Sequence, residues 1–196
     1  MPSPDQPTPP RSDELILDAR SMRVIAHPVR IRIMGILRKD GPQNSTSLAE
    51  RLGLNTGATS YHLRQLADHG MIVEDTERGT GRERWWEIPT RSTRMISEDL
   101  DESALEESTN FLRALSLVYS EQMQRAIEAY VSEPLEWRVA TIFSDYGFRL
   151  TAEEATQLIS ELRSVLDRYR AYDSDDERDD VEQFHVQLQA FRLAGF

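Results

Sequence analysis

The sequence predicts a mainly α protein with a small β content: a domain of short helices closed by a hairpin, a long helix, and a small C-terminal α+β unit of strand, helix and strand. Three observations carry this prediction. Apolar residues recur at helical spacing as far as Gly70 and then switch to an extended pattern. A single amphipathic stripe runs from about residue 98 to residue 132. The charge is split, with 14 Arg or Lys against 11 Asp or Glu in residues 11–94, and 9 against 22 in residues 95–196. The first part is net positive and the second strongly negative, so only the first tolerates a phosphate backbone.

The elements follow in order. Residues 1–12 are proline-rich without an apolar stretch, and read as a disordered lead-in and not as a signal peptide. "ELILDARSMRVIA", within 13–26, reads as a first helix with Leu15, Ala19, Met22 and Ile25 on one side. Pro28 opens a second helix, where its missing N–H costs nothing, and Gly41-Pro42 ends it. "STSLAERLGL" reads as a third helix, Ser47 and Glu50 matching a capping box. Gly53-Leu54-Asn55 is a short turn, and a fourth helix runs from about Thr56 to His69. "MIVEDTE" and "RERWWEI" flank the tip "RGTG", a hairpin over 71–88. Three helices, a tight turn and a hairpin make a winged helix-turn-helix over 13–92.

A long helix over 97–132 follows, with Phe111, Leu115, Val118, Tyr119, Ala126, Ile127 and Tyr130 on its apolar side. The unit 135–196 begins with "WRVATIFSDYGFRL", β-rich in composition. It continues through a helix capped by Thr151 and Glu154, and ends on "EQFHVQLQAFRL", where Phe184, Val186, Leu188 and Ala190 alternate with polar residues. The two strands are expected to pair with each other. No run of about 18 apolar residues exists, so no membrane span is expected. The absence of cysteine excludes disulfides and thiolate chemistry and fits a cytoplasmic protein.

Ser60, Tyr61 and His62 stand side by side, followed closely by Arg64. Ser60 and His62 lie two apart on a helix, about 200° around its axis, so they form no nucleophile–base pair. No nucleophile elbow or phosphate-cradling loop occurs elsewhere, and the chain reads as a non-enzyme. His62 and His69 are two turns apart, too far for one ion without further ligands; no metal or other cofactor is expected. His27 and His62 are read as structural or DNA-facing. Leu63, Leu66 and Ala67 give the fourth helix a buried face. Asn55, Thr56, Thr59, Ser60, Tyr61, His62, Arg64 and Gln65 supply hydroxyls, an aromatic ring, a guanidinium and amides suited to base edges and phosphates. Arg78, Arg82 and Arg84 surround the glycines of the hairpin tip and suit a minor groove or its phosphates.

"LAERLGLNTGATSYHLRQLADHGMI", with "HPVRIRIMGIL" before it and "GRERWWEI" after it, resembles the ArsR-type winged helix-turn-helix transcriptional regulators. The likeness is closest to a cysteine-free, actinobacterial-like branch with an extra C-terminal domain. It covers about residues 15–90. It implies a dimeric DNA-binding protein, usually a repressor, with Thr59, Ser60, Tyr61 and Arg64 on the recognition helix and a wing over 71–88. Metal-sensing members carry a Cys-x-Cys before the recognition helix, or Asp and His pairs on the last helix. "STSLAERL" has no cysteine, so sensing through thiolates is excluded.

The expected partners are therefore double-stranded DNA with a palindromic operator and a second copy of the chain; the unit 135–196 either completes the dimer, binds a small-molecule effector or contacts another protein. The helices at 13–26 and 97–132 are the expected dimer seam. The aromatics Trp137, Phe143, Tyr146 and Tyr169 either line an effector pocket or form the core of the C-terminal unit. The alternative to a DNA-binding regulator is a winged-helix module that binds only protein partners.

Overall fold

The computed structural model describes residues 14–80, 83–90, 92–95, 102–169 and 181–193. The expected disordered lead-in and Arg82 lie outside them. The chain divides into residues 1–120 and 121–196, the division falling within the long helix.

The first unit opens with strand β1 (Glu14–Leu17) and helix α1 (Ala19–Ile25). The single helix expected over 13–26 is thus a strand and a short helix. Asp18 stands between them in extended conformation, and its Oδ1 accepts from Ser21 N at 2.7 Å, starting the helix there. β1 runs parallel to β5 (Ser92–Met95), Leu17 opposite Met95. A pairing between segments so distant in sequence leaves no local signature, whereas Leu15, Ala19 and Met22 mimic helical spacing.

Helix α2 (Pro28–Asp40) starts and stops as its proline and glycine predict. Strand β2 (Gln43–Asn44) then leads into α3 (Ser45–Leu52). The cap of α3 is Asn44 and not Ser47: Asn44 Oδ1 accepts from Ser47 N at 2.8 Å, while Asn44 Nδ2 donates to Glu83 at 2.6 Å. Gly53, at φ 64, closes α3 in the left-handed conformation that the tight turn into α4 (Thr56–Ala67) requires. Strands β3 (Val73–Thr80) and β4 (Glu83–Glu87) form the hairpin, and β2 adds a third, antiparallel strand in the order β2-β4-β3.

One core holds this unit together. Met22, Ile33, Leu48, Leu63, Leu66, Met71 and Ile72 are each at most 1% exposed, and Trp86 joins them from the hairpin. Helix α5 (Glu102–Tyr130) contributes Phe111, Ala114 and Val118, all buried in the same cluster. The stripe expected to meet a second copy is therefore partly enclosed within the chain's own core, as are Met22, Val24 and Ile25 of α1. Leu105, Leu112 and Leu117 of α5 stay exposed instead.

In the second unit, α6 (Leu135–Ala140) follows Pro134, and α7 (Ala152–Leu166) carries the expected capping box between Thr151 and Glu154. Helix α6 occupies the start of what the sequence suggests as a strand. Residues 141–150 and 181–193 join no ladder among the described residues, so the expected strand–helix–strand pairing is not made. Alternation supplies strand-like faces, but a strand exists only beside a hydrogen-bonding neighbour. No described residue beyond Val118 is buried.

Because Asn44 both caps α3 and ties it to the hairpin, Asn44→Ala should lower stability by about 1–2 kcal/mol. Urea unfolding of the full chain measures this; an unchanged midpoint would show the cap to be dispensable.

Candidate nucleic-acid interface

The inner face of α4 decides what its outer face offers. Thr59, Leu63 and Leu66 are buried, at spacings of four and three, so the helix cannot rotate without leaving cavities in the core. Thr56, Tyr61 and Arg64 are exposed and Ser60 and Gln65 half-buried, forming the opposite ridge. Thr59, expected on that ridge, is instead fully enclosed, its Oγ1 donating to the Asn55 carbonyl at 3.1 Å. Asn55 serves the helix itself, since its Oδ1 accepts from Ala58 N at 2.8 Å and caps α4. Arg64 Nε donates back to the Ser60 carbonyl at 3.3 Å, laying the side chain along the ridge.

His62 turns to another neighbour. Its ring lies 4.7 Å from that of His27 and 5.5 Å from that of Tyr61. His27 Nδ1 accepts from Val29 N and so caps α2, while His62 Nδ1 is buried with no hydrogen-bond partner among the described residues. This favours the structural reading of both histidines over the DNA-facing one for His62. Arg30 completes the cluster: Nη1 donates to the Val24 carbonyl at 2.5 Å, and its guanidinium lies 6.0 Å over Tyr61. Burial, then the Arg30 and Arg32 charges, lowers the His27 pKa; burial, then His27 and Arg30, lowers that of His62. The cluster is a support for Tyr61, 50% exposed at the rim.

A groove of about 390 Å³ runs between the start of α3, the outer ridge of α4 and the hairpin. Ser45, Thr46, Ser60, Leu63, Arg64, Glu83, Arg84 and Trp86 line it. Sequence reasoning missed Ser45, Thr46 and Arg30. The first two stand at the N-terminus of α3, where hydroxyls and the helix dipole favour an anion, and the Asn44 cap was the signal that could have found them.

The hairpin arginines are not isolated cations. Arg84 donates through Nε and Nη2 to one Glu74 oxygen at 2.8 and 2.6 Å, and its guanidinium lies 4.4 Å from the Trp86 ring centroid. Arg78 Nε is 3.3 Å from Asp75. Both are exposed, so phosphates can compete for them at the cost of modest surface pairs.

The four aromatics expected to frame an effector pocket do not converge. Trp137 stacks on Phe184 and Tyr146 on Phe148, while Phe143 and Tyr169 are 55% and 74% exposed. Among the described residues no group of three or more acidic or histidine side chains is placed to hold a metal ion. No helix there is long and apolar enough to cross a membrane.

Residues 25–75 match the family described as a helix-turn-helix domain. Over 57 residues the chain is 39% identical to the HTH-type transcriptional regulator NmtR of Mycobacterium tuberculosis (strain ATCC 25618 / H37Rv), a match covering 29% of this chain and 47% of that protein. The chain thus spans about half the length of this curated relative. A solved structure titled "Possible transcriptional regulator for arsenical resistance" is similar at a TM-score of 0.31 and 25% identity, covering 65% of this chain and 99% of that one. The transcriptional regulator Tm0710 from Thermotoga maritima gives 0.30 and 12%, covering 75% and 87%. The helix-turn-helix match is confined to residues 25–75, and residues 121–196 lie outside it.

The two lowered histidine pKa values set a pH dependence. Folded His27 and His62 bind fewer protons than their unfolded counterparts below about pH 6.5, so stability present above that value falls as the solution is acidified. Urea midpoints measured from about pH 7.5 down to about pH 5 should decline, and His62→Gln should decline less steeply. Parallel curves for the two proteins would show that the pair does not titrate as described.

Proposed function

We propose that the chain is a helix-turn-helix transcriptional regulator, a repressor that binds duplex DNA as a homodimer on a two-fold-related operator and has no enzymatic activity. Helix α4 enters the major groove and the hairpin rests on the backbone or the minor groove. The observation that carries this reading is the locked outer ridge of α4. Buried Thr59, Leu63 and Leu66 turn Ser60, Tyr61 and Arg64 outward beside a groove that also contains Ser45, Thr46 and Arg84. In this division of labour Arg64 and Ser60 read base edges, whereas the start of α3 and the hairpin arginines position phosphates. The resemblance of residues 25–75 to helix-turn-helix domains supports the same reading. A module binding only proteins has no use for a groove combining a helix N-terminus with two arginines.

Gel-shift titration against the chain's own upstream region and a random duplex tests this. Wild type should prefer its upstream region, and Arg64→Ala should lose about 1–3 kcal/mol of that preference. No preference in the wild type overturns the reading.

Glu74→Gln separates the positioning contacts from the reading ones. Releasing Arg84 from its carboxylate should tighten binding to both duplexes alike and steepen the salt dependence by about one counterion. An unchanged slope would mean that Arg84 gains no phosphate contact when Glu74 releases it.

A further inference from the structure

The second unit poses a physical problem that its own chain does not solve. Among the described residues, eighteen large apolar ones between Val131 and Leu193 are exposed, and none of the unit is buried. At about 100 Å² each they sum to roughly 1,800 Å² of apolar surface, against the few hundred Å² of the largest contiguous patch on a typical soluble monomer. That exceeds the approximately 800 Å² per partner of a standard interface and falls in the range of obligate ones.

Two extended segments concentrate the problem. In residues 141–150 the even positions are Ile142, Ser144, Tyr146, Phe148 and Leu150, an apolar face on which the Tyr146 and Phe148 rings stack at 6.4 Å. In residues 181–193 the apolar face is Phe184, Val186, Leu188 and Ala190, with Phe184 and Val186 52% and 54% exposed. The opposite, polar face of this segment carries Gln187, whose Nε2 donates to Gln122 of α5 at 2.8 Å. On the apolar face Phe184 stacks on Trp137 of α6, while Val186 and Leu188 remain exposed. Neither segment joins a ladder among the described residues. The apolar face of 141–150 bears no charge, and that of 181–193 is flanked on the same alternation by Glu182 and Arg192, one charge of each sign at its two ends.

We propose that residues 121–196 are half of an intertwined unit completed by a second copy of the chain, with segments 141–150 and 181–193 pairing as strands across the two copies. A second copy is the occupant that fits, because each chain brings the same two extended segments, neither of them in a ladder among the described residues, and the same exposed apolar side chains. One two-fold operation then covers both faces at once. A different partner would have to supply two matching strands and a permanent apolar cover, since edges of this kind left open invite aggregation. The proposal names the surface through which the homodimer of the regulator reading forms, and in that sense rests on it. It places the joint in the C-terminal unit and not in the enclosed faces of α1 and α5.

Light scattering combined with hydrogen exchange on the full chain tests this. Wild type should have a dimer mass at micromolar concentration, and amides of 141–150 and 181–193 should exchange about 100-fold or more slower than an unstructured chain. The double variant Phe148→Asp, Val186→Asp should be monomeric and lose that protection while amides of α2, α3 and α4 keep theirs, which distinguishes separation from unfolding. A monomeric wild type overturns the proposal. So does a dimer whose two segments exchange at unstructured rates, or a double variant that remains dimeric. The Cys-free sequence adds a second arm: a single Val186→Cys or Phe148→Cys chain can form a disulfide only between copies, so the variants should yield covalent dimers on mild oxidation where an exposed Val73→Cys does not. Equal yields at all three positions count against the proposal. A dimer that prefers no duplex overturns the regulator reading alone; a dimer that prefers its upstream region but whose two segments exchange at unstructured rates overturns this one alone.

Discussion

The burial of one face of α4 is the constraint on which the rest of the first unit depends. A helix in a core retains one consequential freedom, rotation about its axis, and Thr59, Leu63 and Leu66 remove it. Rotating the helix by one residue, about 100°, would drag these side chains out of the cluster and set polar ones in their place. What faces solvent is therefore determined by what does not. Ile33, Met34, Leu37 and Leu48 of α2 and α3 supply the seat, and Trp86 closes it from the hairpin. The recognition ridge and the groove beside it follow from this packing and from no special local geometry.

Local patterns in the sequence make much of this legible. Pro28 and Gly41 delimit α2, Thr151 and Glu154 open α7, and the apolar 3–4 spacing in "SYHLRQLADHG" identifies α4. What escapes is non-local or depends on rotation. β1 pairs with a strand far along the chain, and the two-residue β2 exists only because β4 lies beside it. Thr59 is polar and falls in the middle of a polar-looking run, yet it is enclosed because a threonine hydroxyl can satisfy itself on the preceding turn. His62 is legible as a residue of interest but not as a packing partner of His27, since their contact joins two helices. The two C-terminal segments carry strand-like patterns without pairing with each other, because alternation specifies a face and not a neighbour.

The hairpin adds a lesson about charge. Arg78 and Arg84 look, in sequence, like cations waiting for phosphate, but Asp75 and Glu74 hold them. Exposed pairs of this kind are weak, and exchanging a carboxylate for a phosphate changes their partner more than their energy. In the proposed regulator they tune the approach to DNA without dominating it, which leaves base reading to α4 and keeps adhesion to arbitrary duplex low. The net negative charge of residues 95–196 acts in the same direction over a distance of about 8 Å, the screening length at physiological salt.

An acidic C-terminal unit and a modestly positive reading head oppose each other only if one head must bind alone. In the proposed dimer, joined through residues 121–196, two heads act at one operator, and the second engages at the effective concentration that the joint enforces. Weak, phosphate-competing contacts on each head then sum to a useful affinity on a two-fold site while a single half-site or random duplex holds the protein poorly. On this view the exposed apolar faces of the second unit and the salt-bridged hairpin of the first serve one end: affinity comes from the pairing of copies, and selectivity from the ridge that Thr59, Leu63 and Leu66 hold in place.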